Sequence, residues 1–482
     1  MRNVVLLCTA LSLLIVLCAC SVGPDYQPPH IHAPERFNEA AESDVINDEA
    51  LDDQARDEDV QRFWNGFNDP VLAGLIHETL MVNQSLQAAL ARLDQASALL
   101  GAARSDQWPS LTVNGSAAEQ YLAEVERVDP NRERVTRYQV GAAIGWELDL
   151  FGRLRRGHEM RLAELEAAGA DLSALRVAIV GRLASDYFEL RGLQEQLQVA
   201  RENVANQRES LAIVDARLSA GRGTDFDSER AQARLDAIRA TLPELEAGIR
   251  ERMYRIAVLI GRDPALMVAQ LSSPSPLPDT LPTIPVGSPG EALRRRPDIR
   301  AAERRLAAAT ARVGVATADL FPSFSLDALI GSVAADGADL FSAPAESRAV
   351  ALGVNWTFLD FGGVRRRIDA ADAASRAALA DYRQTVLEAL AETETQLAYY
   401  QRSQVRSERL ASATASAQRA AELARARYEQ GYIGYFEVLA AEQELIDTRD
   451  DLIDSRTQET LAMVNIYRTL AGAPQAPELA AR

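Results

Sequence analysis

Lysine is missing from this chain: its 51 strongly basic side chains are all arginine, a skew that reads as coding bias rather than functional demand. Cysteine is nearly missing too. Cys8, Cys18 and Cys20 all fall in the first twenty residues, which excludes a disulfide-built scaffold. The four histidines stand without a nearby nucleophile or metal-ligand spacing, and His30 and His32, in a proline-rich stretch, read as incidental. Gly221-Arg222-Gly223 lacks the third glycine and the preceding strand of a phosphate loop. No catalytic site, metal site or cofactor is therefore expected. The net charge of -18 opposes the basic footprint that phosphate binding needs, which excludes nucleic acid as a partner. Aromatics are only 6% of a chain that is 47% hydrophobic, and Ala, Leu, Glu and Arg abound, so long helices packed through small side chains are expected.

Long apolar runs are absent except at the start. Met1-Arg2, an apolar stretch from Val4 to Val16 and Leu17-Cys18-Ala19-Cys20 resemble the leader and lipobox of bacterial lipoproteins. The resemblance implies cleavage before Cys20, lipidation of its thiol and, with Ser21 following, delivery to the outer membrane. Cys18 is a poor alternative because Leu17 would occupy the cleavage position. The apolar run is too short for a retained membrane helix. Residues 1–19 thus read as a signal peptide and 20–68 as an extended tether, with Pro24, Pro28, Pro29 and Pro34 followed by an acidic run from Glu39 to Asp59.

Beyond the tether the chain repeats itself. Trp146-Glu-Leu-Asp-Leu-Phe151-Gly152 returns as Trp356-Thr-Phe-Leu-Asp-Phe361-Gly362, with Arg155 and Arg365 following, at an offset of 210. The same offset relates Arg217–Gly221 to Arg427–Gly431 and Phe226 to Phe436, while Leu86–Pro109 aligns with Ile299–Pro322 at 213. One unit therefore occurs twice, over 69–262 and 289–474, with a Pro-rich linker at 263–288 and a tail at 475–482. Each unit opens on a capped, proline-started helix pair (Asp69-Pro70 and Ser288-Pro289). The first breaks near Val82-Asn83, the second at Arg296-Pro297, and Trp108-Pro109 and Phe321-Pro322 end them.

Alternation then takes over. Tyr138, Val140, Ala142, Ile144, Trp146 and Leu148 share one face, as do Val350, Leu352, Val354, Trp356 and Phe358. With their neighbours, these patterns predict strands at about 110–121, 138–150, 322–332 and 349–360. Ten-residue strands ending in tryptophan suit a membrane-spanning β-structure with an interfacial girdle, and a soluble sheet is the competing reading. Four strands cannot close a barrel and open edges are not tolerated in lipid, so a spanning sheet requires several chains.

Long helices follow each hairpin, at about 152–220 with 225–260 and about 363–430 with 435–471. The Pro-free run from Leu154 to Leu218 would span roughly 100 Å as one helix. Leu190, Leu197, Val204, Leu211 and Leu218 step by sevens, as do Leu439, Ile446 and Ile453, which marks coiled-coil seams. Gly221 suits a left-handed helix cap, Thr224 or Asp225 caps the returning helix with Asp227 as its capping-box acid, and Pro243 is expected to kink or interrupt that helix.

At this point the chain resembles the outer membrane factor family, the TolC-like channels, and within it the lipoprotein efflux components similar to OprM. The resemblance rests on Cys20 with Pro24-Asp25-Tyr26, Phe63-Trp64 with Phe67–Pro70, Trp146–Arg153, Leu293–Ile299 and Phe321-Pro322-Ser323. It implies a mixed fold of long helical hairpins and transmembrane β-structure: three chains form one twelve-stranded outer-membrane barrel above a periplasmic α-barrel. Trp146, Phe151 and Gly152, with Trp356, Phe361 and Gly362, become the strand–helix junctions. It also implies passive export, from a periplasmic adaptor and an inner-membrane pump, of RND type, to the exterior. Gly221, Arg222, Gly223, Thr224, Gly431, Tyr432 and Gly434 would form the adaptor-contacting tips. Asp225 and Asp227 would set selectivity, and Arg222 and Tyr432 would hold the closed state. The chain departs from the family at Ile433, where relatives carry an acid, and at Pro243. Two other readings are a type I protein-secretion conduit and, from another class, a periplasmic coiled-coil scaffold lipoprotein without a pore. The lipobox and the OprM-like spacing favour efflux over the first, and the tryptophan-ended strands of lipid-spanning length oppose the second. The substrate is not encoded in any visible motif.

Overall fold

Prolines and glycines divide the chain where its sequence breaks. The computed structural model describes residues 21–30, 33–39, 63–127, 133–282 and 288–470; Cys20, His32, the acidic run 40–62 and the tail lie outside them. The elements are α1 (Pro70–Val82), α2 (Gln84–Ser105), β1 (Ser110–Tyr121), β2 (Arg134–Leu148), α3 (Arg153–Ser219), α4 (Asp225–Ile260), α5 (Pro264–Leu271), α6 (Pro289–Arg295), α7 (Pro297–Ala318), β3 (Ser323–Ala334), β4 (Glu346–Asn355), α8 (Gly363–Glu429) and α9 (Tyr435–Leu470). The chain divides into two compact units: residues 1–30, 92–169 and 301–383 form one, and 31–91, 170–300 and 384–482 the other.

The first unit holds the strands, paired antiparallel in the order β1-β2-β3-β4. Opposed residues point to the same face of a sheet. Leu111 lies opposite Ile144, Ile144 opposite Ala328, and Ala328 opposite Val350; Trp146 lies opposite Leu326, and Leu326 opposite Leu352. One apolar face thus runs unbroken across all four strands, and Leu111, Val113, Ile144, Ile330, Val350, Leu352 and Val354 on it are exposed. The other face is mostly small or polar, Leu329 and Val333 being exceptions, with Asn114 opposite Gly141, Gly141 opposite Gly331 and Gly331 opposite Ser347. β4 ends at Asn355 rather than near residue 360, so Trp356 and Phe358 lie past the strand.

The second unit is built around aromatics placed before the first helix. Phe63 stacks on Tyr467 (centroids 4.6 Å apart), Phe67 packs on Phe188 at 4.9 Å, and Trp64 sits edge-on to Tyr467 at 4.8 Å. Leu72, Leu75, Leu183, Ile256, Ile260 and Met267 complete this core. Each such side chain is worth about 1.5–3 kcal/mol on burial. Asp69 caps α1 as expected, taking the Val71 and Leu72 amides at 2.9 and 3.0 Å, and its other oxygen accepts the buried Tyr187 hydroxyl at 2.5 Å. Burial and this carboxylate push the Tyr187 hydroxyl pKa well up.

The break between α1 and α2 falls at Asn83, whose side chain caps α2 through the Ser85 amide and donates to the Leu259 carbonyl at 2.7 Å. Pro243 lies within α4 without interrupting its assignment. It is exposed, so the carbonyl it leaves unpaired faces water, and Thr241 donates to the Ile238 carbonyl at 2.8 Å alongside. The coiled-coil seam is buried at Leu190 and Leu197; further along α3, Asn203, Gln207 and Ser210 are buried as well as Val214, and Leu211 packs against Val214's cluster. Among the described residues, no helix is long and apolar enough to cross a membrane.

Candidate functional site

The site has two parts, one in each unit. In the first unit, both strand–helix junctions turn on a left-handed glycine, Gly152 at φ 80° and Gly362 at φ 92°. A side chain there would meet the following carbonyl, so glycine is the residue that redirects the chain at least cost. The tryptophan before each turn is anchored alike: Trp146 donates its indole N–H to the Gln107 carbonyl at 3.0 Å, and Trp356 to the Leu320 carbonyl at 3.1 Å. An aspartate starts each long helix. Asp149 accepts the Leu154 and Arg155 amides (3.1 and 2.9 Å), and Asp360 accepts the Gly362 and Val364 amides (3.1 and 2.5 Å).

The two junctions then diverge. Phe151 stacks on Phe321 at 4.6 Å, whereas Phe361, itself at φ 55°, is 95% exposed. Residues 21–26, which the sequence suggested were a loose tether, lie extended against the first junction. The Val22 amide donates to the Phe151 carbonyl at 3.1 Å, and a Cβ on Gly152 would come within 2.5 Å of Ser21 Oγ. Arg156 binds this strap from below. It donates to the Val22 and Gly23 carbonyls at 3.2 and 3.4 Å and to Asp25 at 2.6 Å, while holding Glu159 at 2.8 Å. Gly23 passes so close to Gly314 that a Cβ would lie 2.5 Å from its Cα, and Tyr26 donates to Glu303 at 2.8 Å. The backbone contacts of Val22, Gly23 and Gly314 were announced by no side-chain pattern, whereas Asp25 and Tyr26 belong to the Pro24-Asp25-Tyr26 stretch singled out in the sequence. Cys20 itself lies outside the described residues.

In the second unit, α3–α4 and α8–α9 each close with a glycine, Gly221 at φ 68° and Gly431 at φ 79°. Both caps have the double bond of a Schellman turn: Gly221 and Arg222 amides reach the Leu218 and Arg217 carbonyls (2.9 and 2.8 Å), and Gly431 and Tyr432 amides reach those of Tyr428 and Arg427 (2.9 and 3.0 Å). Thr224 caps α4, accepting the Asp227 amide at 3.2 Å and donating to its carboxylate at 2.7 Å, so Asp227 is engaged in the cap. Gly223 lies tight against Leu218, whose backbone N would be 3.0 Å from an added Cβ. Asp225, Arg222 and Tyr432 are exposed. Gly434 stands where Thr224 stands in the first tip, and Glu437 where Asp227 stands. Ile433 packs against the buried cluster of Val214, Ala231, Tyr428, Tyr435 and Val438, which accounts for an apolar residue there.

Sequence reasoning missed the contacts that tie the two tips together. Arg217 lies 3.9 Å above the Tyr428 ring and donates to the Tyr428 carbonyl at 2.6 Å. Arg230 sits near both exposed rings, 5.4 Å from Phe226 and 5.0 Å from Phe436. Gln207 donates to the Tyr435 hydroxyl at 3.1 Å, and Ser210 to the buried Glu442 at 3.4 Å, which Arg425 of its own hairpin also holds at 2.6 Å. Burial pushes the Tyr435 hydroxyl up to about 12. The recurrence of Arg217 and Phe226 at offset 210 was the available signal.

The same architecture occurs in the solved outer-membrane channel OprN, 38% identical, with a TM-score of 0.88 and coverage of 95% of this chain and 100% of that one. Outer membrane protein OprJ of Pseudomonas aeruginosa is 29% identical over 96% of this chain and 95% of its own length. Nodulation protein T of Rhizobium leguminosarum bv. trifolii is 29% identical over 91% of each. Both repeats match one family description, "Outer membrane efflux protein", over residues 75–262 and 288–472. The chain belongs to the outer membrane efflux protein family, the outer membrane channels of efflux systems.

Proposed function

We propose that three copies of this chain form one conduit, closed by twelve strands, that passively exports small molecules handed to it by a periplasmic adaptor and an inner-membrane pump of RND type. The observation that carries this reading is the sheet: an exposed apolar face crosses all four strands, and among the described residues both edge strands, β1 and β4, lack a second neighbour. In hydrocarbon an unpaired strand edge costs several kcal/mol per backbone group, and barrels need eight strands or more, so one chain is not enough. Lipidation of Cys20 is supported by its neighbour Ser21, which packs against Gly152 where strand gives way to helix. An acyl chain on Cys20 would thus start at the membrane boundary. The exposed Phe226, Tyr432 and Phe436 suit contact with an adaptor. Asp225 and Asp227, brought together around one axis, favour cations, and Arg222 and Tyr432, exposed on each chain, are available to latch neighbouring tips.

Single-channel recording of the purified protein in planar bilayers tests this. Rare openings with cation preference are expected, the preference weakening when Asp225 and Asp227 are both changed to Ala and openings becoming frequent in Arg222→Ala or Tyr432→Phe. Full cation preference in the double variant would restrict Asp227 to helix capping and place the filter elsewhere. Cys20→Ser should abolish fatty-acid labelling while leaving assembled channel, and labelling that persists would refute the assignment of Cys20.

A further inference from the structure

The two hairpins of the sheet end in different loops. Residues 122–133 join β1 to β2, and Arg127 ties that loop together, donating to the Leu122 carbonyl, the Tyr121 hydroxyl and Glu133 at 3.1, 3.1 and 3.3 Å. Residues 335–345 join β3 to β4 and contain no basic residue. Their acids come first, Asp336 and Asp339, and Leu340-Phe341-Ser342-Ala343-Pro344-Ala345 follow. This second loop folds back over the sheet. Ser332 donates its hydroxyl to the Leu340 carbonyl, and a Cβ on Gly337 would lie 3.7 Å from the Tyr138 ring. Tyr138 lies on the apolar face, and so does Ser332, opposite Val140. The loop therefore covers the apolar face.

Under it runs an open groove of about 600 Å³, with Val113, Val140 and Ala142 from the strands and Phe341, Ala343 and Glu346 from the loop side. Ala142 stands four residues, roughly 13 Å, back from Tyr138, the residue opposite which β3 ends. Phe341 is nevertheless 84% exposed, and Val113 75%. An apolar patch of this kind marks a contact with something else. The loop's backbone is bonded for a site short of water. Asp336 accepts the Ala338 amide at 3.0 Å, and the Asp339, Leu340, Ser342 and Ala345 amides reach carbonyls of the loop itself at 2.9 to 3.4 Å. Pro344 has no N–H to satisfy. Bare backbone is not tolerated in hydrocarbon, and the loop meets that condition largely by bonding itself.

The family places the chain in the outer membrane with its helices on the periplasmic side, so the loops mark the exterior end of the sheet. From Trp146 to Tyr138 the apolar face spans eight residues, roughly 26 Å, which matches the height of a membrane-spanning band. The groove thus opens within the outer half of that band. We propose that it binds an acyl chain of lipopolysaccharide, the acylated and phosphorylated sugar lipid of the exterior leaflet, with the Phe341 ring inserted beside the chain. Two arginines on the same face suit the phosphates of that lipid: Arg348, held by Glu346 of the groove, and Arg134, further out on β2, with side chains 69% and 74% exposed. The inference rests on the reading of the apolar face as membrane-facing and goes beyond it by assigning a lipid and its site.

Because Cys20 is the only cysteine past the leader, one introduced cysteine can be spin-labelled in the full-length chain, the unmodified chain measuring any label at Cys20. The vesicles contain phosphatidylethanolamine, phosphatidylglycerol and lipopolysaccharide. In them a label at Phe341→Cys should collide with oxygen rather than with a water-soluble nickel chelate, as should one at Val350→Cys on the open apolar face. A label at Val125→Cys, in the other loop, should do the reverse. A Phe341 label that behaves like the Val125 label overturns the insertion. A Val350 label that meets the nickel chelate overturns the membrane-facing reading itself. Occupancy is read by native mass spectrometry as lipopolysaccharide retained after detergent exchange. Ala142→Phe fills the groove and should lower retention on the order of tenfold, the loss that burying two fewer methylenes brings. Ala343→Phe, on the loop side, repeats the test should Ala142→Phe fail to accumulate. Undiminished retention in these variants overturns the site, and phospholipid retained in place of lipopolysaccharide overturns the assignment of the ligand.

Discussion

The two strand–helix junctions are the same sentence in two settings. Arg156 and Arg366 occupy equivalent positions, and each faces an acid three residues on, Glu159 at 2.8 Å and Asp369 at 3.7 Å. Yet the Arg156 side chain is 5% exposed and holds the N-terminal strap, whereas that of Arg366 is 87% exposed. Phe151 has a ring to stack on, and among the described residues Phe361 has none. Duplication therefore supplied the motif twice, while the segment after Cys20 supplies a cover once. A motif in a repeat specifies a local turn, and what lies outside the repeat decides how that turn is used.

The largest expected difference follows from the arginines. Arg156→Ala leaves the Val22 and Gly23 carbonyls without their donor, while Asp25 and Glu159 keep access to water, so a loss of about 2 kcal/mol is expected, with protease access to residues 21–26. Arg366→Ala removes a long, exposed i,i+3 pair and should stay within about 0.5 kcal/mol. Denaturant unfolding of the purified variants decides this. Equal losses would mean that the strap contributes nothing and that the asymmetry of the two junctions carries no energy.

A smaller difference is expected at the glycines. Alanine at either Gly152 or Gly362 pays for its left-handed backbone, about 1–2 kcal/mol. At Gly152 the new Cβ also meets Ser21 Oγ at 2.5 Å and Ser21 Cα at 2.9 Å, while at Gly362 nothing lies within 4 Å. Gly152→Ala should therefore cost more than Gly362→Ala and should displace the strap, read as increased proteolysis near Ser21. Removal of residues 21–26 should bring the two variants level; a gap that survives that deletion would trace to the turn itself.

What could be read in advance follows from the range of the forces involved. The tip glycines, the Asp69 and Thr224 caps and the break at Val82-Asn83 depend on neighbours within a few residues, and each stands where spacing put it. The strand faces were equally legible, because period two survives any context. The end of β4 was not, since a strand extends as far as its partner does and Trp356 has no partner within the chain. The strap was legible only in part: Asp25 and Tyr26, singled out in the sequence, bind Arg156 and Glu303, but the Val22 and Gly23 carbonyls and the close passage at Gly314 leave no side-chain pattern. Pro243 does not interrupt α4, because on an exposed helix face the carbonyl that loses its N–H donor can accept from water instead. The seam on α3 continues past Leu197 at Leu211, and the polar positions buried beside it, Gln207 and Ser210, were not legible because their partners Tyr435 and Glu442 come from the other hairpin.

The smallest expected effect lies at the tips, where the repeat differs by one cap. Thr224 closes α4 through the Asp227 amide, and the equivalent Gly434 offers α9 no side-chain oxygen. Thr224→Ala should cost about 1 kcal/mol and Thr224→Gly only a few tenths, since glycine tolerates the extended cap geometry. Gly434→Ser should gain a few tenths at the second tip, provided Glu437 Oε2, 3.1 Å from the new Cβ, swings aside as an exposed carboxylate can. These changes are too small for global unfolding but large enough for amide exchange at Asp227 and Glu437, which reports local opening of each first turn. Faster exchange at Asp227 in Thr224→Ala, with Glu437 slowed in Gly434→Ser, would make the cap the source of the difference between tips. Unchanged exchange in both would shift that role to the contacts the tips share, Arg217 on Tyr428 and Arg230 between Phe226 and Phe436, which hold both turns at once and would hide the loss of either cap.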